Sequence, residues 1–122
     1  MLRLPFVLGA GAWGSTKDDP QIIASLMTEA ELLACVVDCA HLYGWLACHF
    51  RPAKTEKGWR TALQGDAGGP DTILARNGQI LLVELKTEKG KLSPEQKEWQ
   101  DAGVITWRPS QWLSGEIEKA LR

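Results

Sequence analysis

From residue 28 onward the apolar positions change period several times, and each change marks an element. Leu32, Cys35, Val36, Cys39, Ala40 and Tyr43 fall on one side of a helical wheel, with Asp38 and His41 opposite. Thr28 and Glu31 precede them as a capping box and Gly44 follows, so the spacing predicts a helix over residues 28–43. Glu29 projects onto the apolar side, whereas Glu31 is accounted for by the cap; an acid turned toward a core requires a partner or a metal. Trp45 to Phe50 reads as a short strand, and residues 51–69, rich in Gly, Lys and Arg, as a long loop. Thr72 to Arg76 and Gln79 to Lys86 are apolar on both sides and joined by Asn77-Gly78, the strongest short signal for a two-residue hairpin turn. Such a hairpin is expected inside a sheet covered on both faces. Ser93-Pro-Glu-Gln96 opens another helix that Gly103 closes, Val104 to Arg108 reads as a strand, and Ser110 caps a last amphipathic helix running to Leu121. The resulting order is α-β-β-β-α-β-α, a mixed α/β sandwich without internal repeats.

Residues 1–27 follow a different pattern: an apolar run from Leu4 to Leu8, then Gly9, Gly11 and Gly14, then a polar stretch from Ser15 to Gln21. The glycines spell GxGxxG, but a dinucleotide loop requires a helix opening directly from them, and Pro20 interrupts. Arg3 and the small residues at 10–12 imitate a secretion leader, but one shorter than the usual ~15 residues. Residues 1–27 are therefore expected to form a poorly defined extension or an added edge element, and residues 28–122 the domain proper.

A chain of 122 residues is sized for one core. With 44% apolar and 24% charged residues it has an ordinary globular composition, and no apolar run approaches the ~20 residues that span a bilayer. Fourteen Lys and Arg against 15 Asp and Glu exclude binding of nucleic acid by bulk charge, so any such contact is a local patch. Arg51, Lys54, Lys57 and Arg60, opposed by Glu56 alone, form one around Trp59. It reads equally as a phosphate-contacting, base-stacking loop and as a solvated loop whose tryptophan plugs the core edge. Cys35, Cys39 and Cys48 are odd in number and contain no CxxC pair, which fits a reducing compartment and disfavours a zinc site with His41 or His49.

The turn at residues 77 and 78 sets the hairpin register, and counting inward brings Asp71 opposite Glu84 with Lys86 on the same face. Facing Cβ atoms of such a pair lie roughly 4.5–5.5 Å apart. Two carboxylates at that separation repel by about 3 kcal/mol at an effective dielectric of 20, so a cation is expected between them. Lys86 supplies one answer, a charge cluster of structural value only. A divalent ion supplies the other, and magnesium, which takes few carboxylates and keeps several waters, suits the set formed with Glu29 and the basic loop.

Gly69-Pro70-Asp71, Glu84-Leu85-Lys86 and the run from Lys91 to Trp99 (KLSPEQKEW) resemble the PD-(D/E)XK nuclease superfamily, specifically its virus-type replication-repair nuclease (VRR-NUC) domain. The resemblance extends from about Thr28 to Leu121 and includes the Thr28-Glu29 helix start and the stretch Trp107 to Ser110. It implies a restriction-endonuclease-like core, an α-β-β-β-α-β-α order with a mixed sheet flanked by helices. It implies that Asp71, Glu84 and the backbone carbonyl of Leu85 ligate Mg2+ or Mn2+, with Glu29, the helix glutamate, as a candidate further ligand. Lys86 would orient the attacking water and stabilise charge on the phosphate, and Gln96 matches the family glutamine while also sitting at a helix N3 position. The family usually has an apolar residue after the aspartate; Thr72 stands here, a departure expected to leave the metal site untouched.

The implied activity is metal-dependent hydrolysis of DNA phosphodiester bonds by an endonuclease. Arg51, Lys54, Lys57, Trp59, Arg60, Lys89 and Lys91 would hold the backbone, with strong salt dependence and little base readout. Similarity to Holliday-junction resolvases implies branched or structured DNA, a homodimer and a role in DNA repair in bacterial or phage-infected cytoplasm, with no membrane and no nucleotide cofactor. The rivals are a non-catalytic nucleic-acid-binding module that keeps the fold and an interaction protein whose acids and lysine merely neutralise one another. Trp45, Trp99, Trp107 and Trp112 are assigned to the core and Trp59 outside it.

Overall fold

Side-chain caps fix where the longer helices begin. In the computed structural model, which describes residues 19–51 and 64–122 and the backbone alone of 53–55 and 58–60, helix α2 (Glu29–Leu42) starts at the Thr28–Glu31 box. The Thr28 hydroxyl accepts from the Glu31 amide at 3.1 Å, and the Glu31 carboxylate accepts from the Thr28 amide at 3.0 Å. Helix α3 (Pro94–Asp101) starts at the matching box of Ser93 and Gln96. Preceding α2, Asp19 caps a further helix, α1 (Pro20–Leu26), by accepting from the Gln21 amide at 2.8 Å. The C-terminal part of the segment expected to be an undefined extension is thus helical; residues 1–18 lie outside the described residues.

The strands are β1 (Leu46–His49), β2 (Ala53–Thr55), β3 (Gly58–Arg60), β4 (Thr72–Arg76), β5 (Gln79–Leu85) and β6 (Ile105–Trp107). A four-stranded sheet runs β1-β4-β5-β6, with antiparallel β1–β4 and β4–β5 pairs and a parallel β5–β6 pair bridged by α3. The fold is therefore mixed α/β, with a mixed sheet flanked by helices. Asn77 at φ 49° and Gly78 at φ 82° both take the left-handed conformation of a type I′ turn. The register follows as expected from the sequence, from Arg76 opposite Gln79 to Thr72 opposite Val83.

One face of the sheet carries Leu74, Val83, Leu85 and Trp107 into the core, where they meet Leu32 and Val36 of α2 and Ile117 and Leu121 of the C-terminal helix. The other face is only partly covered, contrary to the expectation of burial on both sides: Leu46 is 76% and Ile80 65% exposed. Helix α3 lies against this face at Glu84 and Thr106, which accept hydrogen bonds from Gln96 and Gln100. Two further differences have local causes. The expected loop over 51–69 contains the small β2–β3 hairpin. The expected helix from Ser110 to Leu121 is two, α4 (Pro109–Leu113) and α5 (Glu116–Leu121), because Gly115 at φ 85° breaks the run. Trp45, Trp107 and Trp112 are buried, whereas Trp99 is only half-buried. No helix among the described residues is long and apolar enough to cross a membrane.

Arg76 ties the chain's last turn to the sheet. Its guanidinium donates to the carbonyls of Tyr43 and Leu121 at 3.0 Å each and of Arg122 at 3.2 Å, and lies 4.4 Å from the Trp45 ring centroid. Trp45 in turn donates from Nε1 to the Leu121 carbonyl at 2.8 Å. Arg76→Ala removes charge-assisted bonds and a cation–π contact together, and is expected to lower unfolding free energy by about 2–4 kcal/mol in urea titrations. Arg76→Lys should recover less than half of that, because an ammonium cannot span three carbonyls as a planar fork does.

Candidate active site

The end of β1, the start of β4 and the end of β5 converge between the first turns of α2 and α3, and the space they leave is a cleft of about 620 Å³. Its lining includes Glu29 from α2, His49 to Arg51 after β1, Gly69 to Asp71 before β4, Glu84 and Leu85 from β5, and Gln96 from α3. Five of the residues proposed from sequence, Glu29, Asp71, Glu84, Leu85 and Gln96, thus meet in one place, with Arg51 at the exposed rim. Glu29 is exposed and faces this cleft, not the core; the apolar stripe of α2 begins at Leu32.

Asp71 is held by its backbone, not by sheet pairing. The β4–β5 ladder ends at Thr72 and Val83, one pair short of the Asp71–Glu84 juxtaposition expected from the register. Instead the Phe50 amide donates to the Asp71 carbonyl at 2.8 Å. The loop leading to it is pressed onto α3. Trp99 donates from Nε1 to the Ala67 carbonyl at 2.9 Å, and Gly68, at φ 88°, passes so close that a Cβ there would lie 2.6 Å from the Glu95 Cβ. Only glycine fits both the angle and the gap.

Glu84 is 7% exposed, an acid in the middle of a sheet. Strand alternation explains its direction: Val83 and Leu85 enter the core, so Glu84 emerges on the opposite face. There Gln96 donates from Nε2 to its Oε2 at 3.2 Å, while the same amide accepts from the Ser93 amide at 2.9 Å through Oε1. Gln96 is cap and site residue at once. Burial pushes the Glu84 carboxyl up to about 7; the negative charge of Asp71 adds to this, Lys86 opposes it and Glu29 adds a smaller push. Among the described residues the one salt bridge is Arg122–Glu118, so none of their cations pairs with these acids. Lys86 acts on Glu84 through space and does not line the cleft.

The lysines beyond β5 turn elsewhere. Arg108 donates to the carbonyls of Thr87 and Gly90 at 2.7 Å each, folding the 87–90 turn toward α4. Lys89 consequently lines a separate cavity of about 640 Å³ with Asp19, Ile22 and Leu113, and Lys91 is exposed; neither lines the cleft as the nucleic-acid reading expected. That cavity is more apolar, and its two acids, Asp19 and Glu88, are engaged by the Gln21 and Ser110 amides. Lys57 and the side chains of Lys54, Trp59 and Arg60 lie outside the described residues. The cysteines form no zinc cluster among the described residues: Cys39 is buried, Cys48 exposed, and burial pushes the Cys35 and Cys39 thiols up, against thiolate formation. Sequence reading passed over the attachment of Thr72 to the site: its hydroxyl donates to Asp71 Oδ1 at 3.0 Å. The signal was a polar residue at a core-facing strand position.

The donors at the cleft are hard oxygens, from Asp71 and Glu84 with Leu85 alongside, and no cation among the described residues pairs with them at contact distance. This fits Mg2+ or Mn2+ and does not fit a thiophilic metal. Among the described residues no three His, Cys, Asp or Glu side chains gather as a complete ligand cage, so such an ion would keep waters on its open positions.

Because Glu84 binds its proton more tightly in the folded chain, with a value near 7 against 4.5, the unfolded state deprotonates first as pH rises. Metal-free stability from this group is full below pH 4.5 and is lost on rising through about 7. Glu84→Gln should flatten that slope and gain at most ~3 kcal/mol at pH 8, read from urea midpoints across pH. Compared with protein-family models, with curated proteins and with solved structures, the chain shows no match in any of the three, so its function rests on the chemistry of the cleft itself.

Proposed function

We propose that this protein is a metal-dependent DNA endonuclease of the VRR-NUC type, hydrolysing phosphodiester bonds at the cleft between α2 and α3. The observation that carries the reading is Glu84: a buried acid beside Asp71, with no cation in contact among the described residues. A stability-driven sequence gains nothing from that pairing, whereas a site for a divalent ion requires it. Asp71 and Glu84 would hold the ion and Leu85 would offer its carbonyl, while Gln96 fixes the Glu84 carboxyl by hydrogen bonding. When bound, Mg2+ or Mn2+ supplies an activated water and neutralises charge on the phosphate.

Lys86, which does not line the cleft but acts on it through space, would stabilise the negative charge that builds on the phosphoryl oxygens as the bond to the leaving oxygen breaks; orienting the attacking water would require its side chain to swing in. Glu29, across the cleft, would be a candidate further ligand, and Arg51 at the rim would meet the DNA backbone. Branched or structured DNA, a homodimer and a role in repair in bacterial or phage-infected cytoplasm belong to the same proposal, on the strength of the sequence resemblance. The absence of a three-residue ligand cage among the described residues favours one rival, a nucleic-acid-binding module that keeps the fold without catalysis.

A panel of flap, splayed-arm, four-way-junction and linear duplex DNA, incubated with Mg2+, Mn2+ or a chelator, separates these. The enzyme cuts at least one substrate with either metal and none with the chelator. Glu84→Ala and Lys86→Ala each lower the rate by about 100-fold or more while the thermal unfolding transition remains cooperative. Salt-sensitive DNA binding without cleavage in any metal identifies the binding module, and neither binding nor cleavage rejects both.

A further inference from the structure

Thr72 is fully buried, at 0% exposure, and opens β4 directly opposite His49 of β1. Valine would fill this position with equal β propensity and no polar atom to desolvate, so the hydroxyl needs partners. It has two: Asp71 Oδ1 at 3.0 Å and His49 Nδ1 at 3.2 Å. A hydroxyl carries one proton, and an ionised carboxylate can only accept. The Thr72 proton therefore goes to Asp71, and the Thr72 oxygen accepts from a protonated Nδ1 of His49. The direction of the chain is set: His49 to Thr72 to Asp71.

From this we infer that His49 and Thr72 are positioning residues that pre-orient the Asp71 carboxylate for the cation, an inference resting on the metal-centre reading above. Asp71 lies just outside the β4–β5 ladder, where pairing with β5 does not constrain its side chain, and among the described residues its backbone is held through its carbonyl. The Thr72 hydroxyl occupies one direction of Oδ1, and the Asp71 carboxylate lines the cleft together with His49 and Glu84. A carboxylate ordered before the ion arrives loses less freedom on binding it. Partners of this kind behind a ligand are worth 10–100-fold in metal affinity.

Titration of the full chain with Mn2+ by calorimetry tests this. Thr72→Val should weaken Mn2+ binding at least 10-fold, Thr72→Ser should restore it to within about 3-fold, and His49→Phe should fall with Thr72→Val. His49→Asn, whose amide nitrogen stands where Nδ1 does, should retain most of the affinity. Nitrogen NMR of the histidine rings at pH 8 supplies a readout independent of metal: Nδ1 of His49 carries the proton, and the same spectrum with Nδ1 unprotonated overturns the chain. Should Thr72→Val prove unfolded, the His49→Phe and His49→Asn comparison decides alone. Asp71→Ala separates the two levels. If it abolishes Mn2+ binding while Thr72→Val and His49→Phe preserve it, the positioning role is wrong and the metal centre stands; if it leaves binding intact, both fall.

Discussion

The alternation of β5 is the constraint on which both the core and the cleft depend. Val83, Glu84 and Leu85 are consecutive, and the antiparallel register with β4 decides which of them faces the helices. A slip of one residue would turn Val83 and Leu85 toward solvent, at a cost of about 1.5–3 kcal/mol each, and drive the Glu84 carboxyl into the apolar core. The turn at Asn77-Gly78 and the packing of Leu74, Val83 and Leu85 therefore position the acid as surely as any contact it makes itself. The site is a by-product of correct core packing, which is why it sits at the end of a strand and not on a free loop.

The cleft is also where the sequence works against its own stability. Three acids share it, one buried deeply enough for its carboxyl to be pushed up to about 7, and Lys86 tempers the field without pairing with them. The fold compensates elsewhere. Arg76 closes the C-terminal turn over Trp45, Arg108 braces the turn after β5, and Trp99 with Gly68 binds the approach to Asp71 onto α3. Each of these holds backbone carbonyls or a close approach on the periphery, and at the cleft itself Glu84 and Asp71 keep only the neutral partners Gln96 and Thr72 among the described residues. Local conflict within a consistent surround is the usual mark of a functional centre.

Elements governed by neighbouring residues were legible in the sequence: the capping boxes of α2 and α3, the I′ turn and the alternation around it. The cleft's Glu84 and Gln96 could be placed because those same short-range rules orient them, whereas the helical wheel turned Glu29 toward the core and the register carried the ladder one pair too far, to Asp71. What escaped depends on long-range geometry. The ladder stops before Asp71 because the chain bends there to meet α3, and nothing local to residue 71 announces that contact. The turn of Lys89 away from the cleft follows from Arg108, 19 positions along, and Arg76 reads as an ordinary strand-end cation until Leu121 returns to meet it. Gly115 was visible, but only the packing of Trp112 and Ile117 into one core makes a break there preferable to a continuous helix.

Gln96 has a consequence for motion. One face of its amide closes the first turn of α3 and the other grips Glu84, so the conformational freedom of the two is shared. Fraying of the first turn is the least expensive excursion available to a short surface helix with no buried residue. In this protein it cannot occur silently, because unwinding the cap releases the carboxyl. Conversely, any ligand that immobilises Glu84 also tightens the start of α3, so that occupancy of the cleft would register as slower amide exchange in a helix that need not touch the ligand.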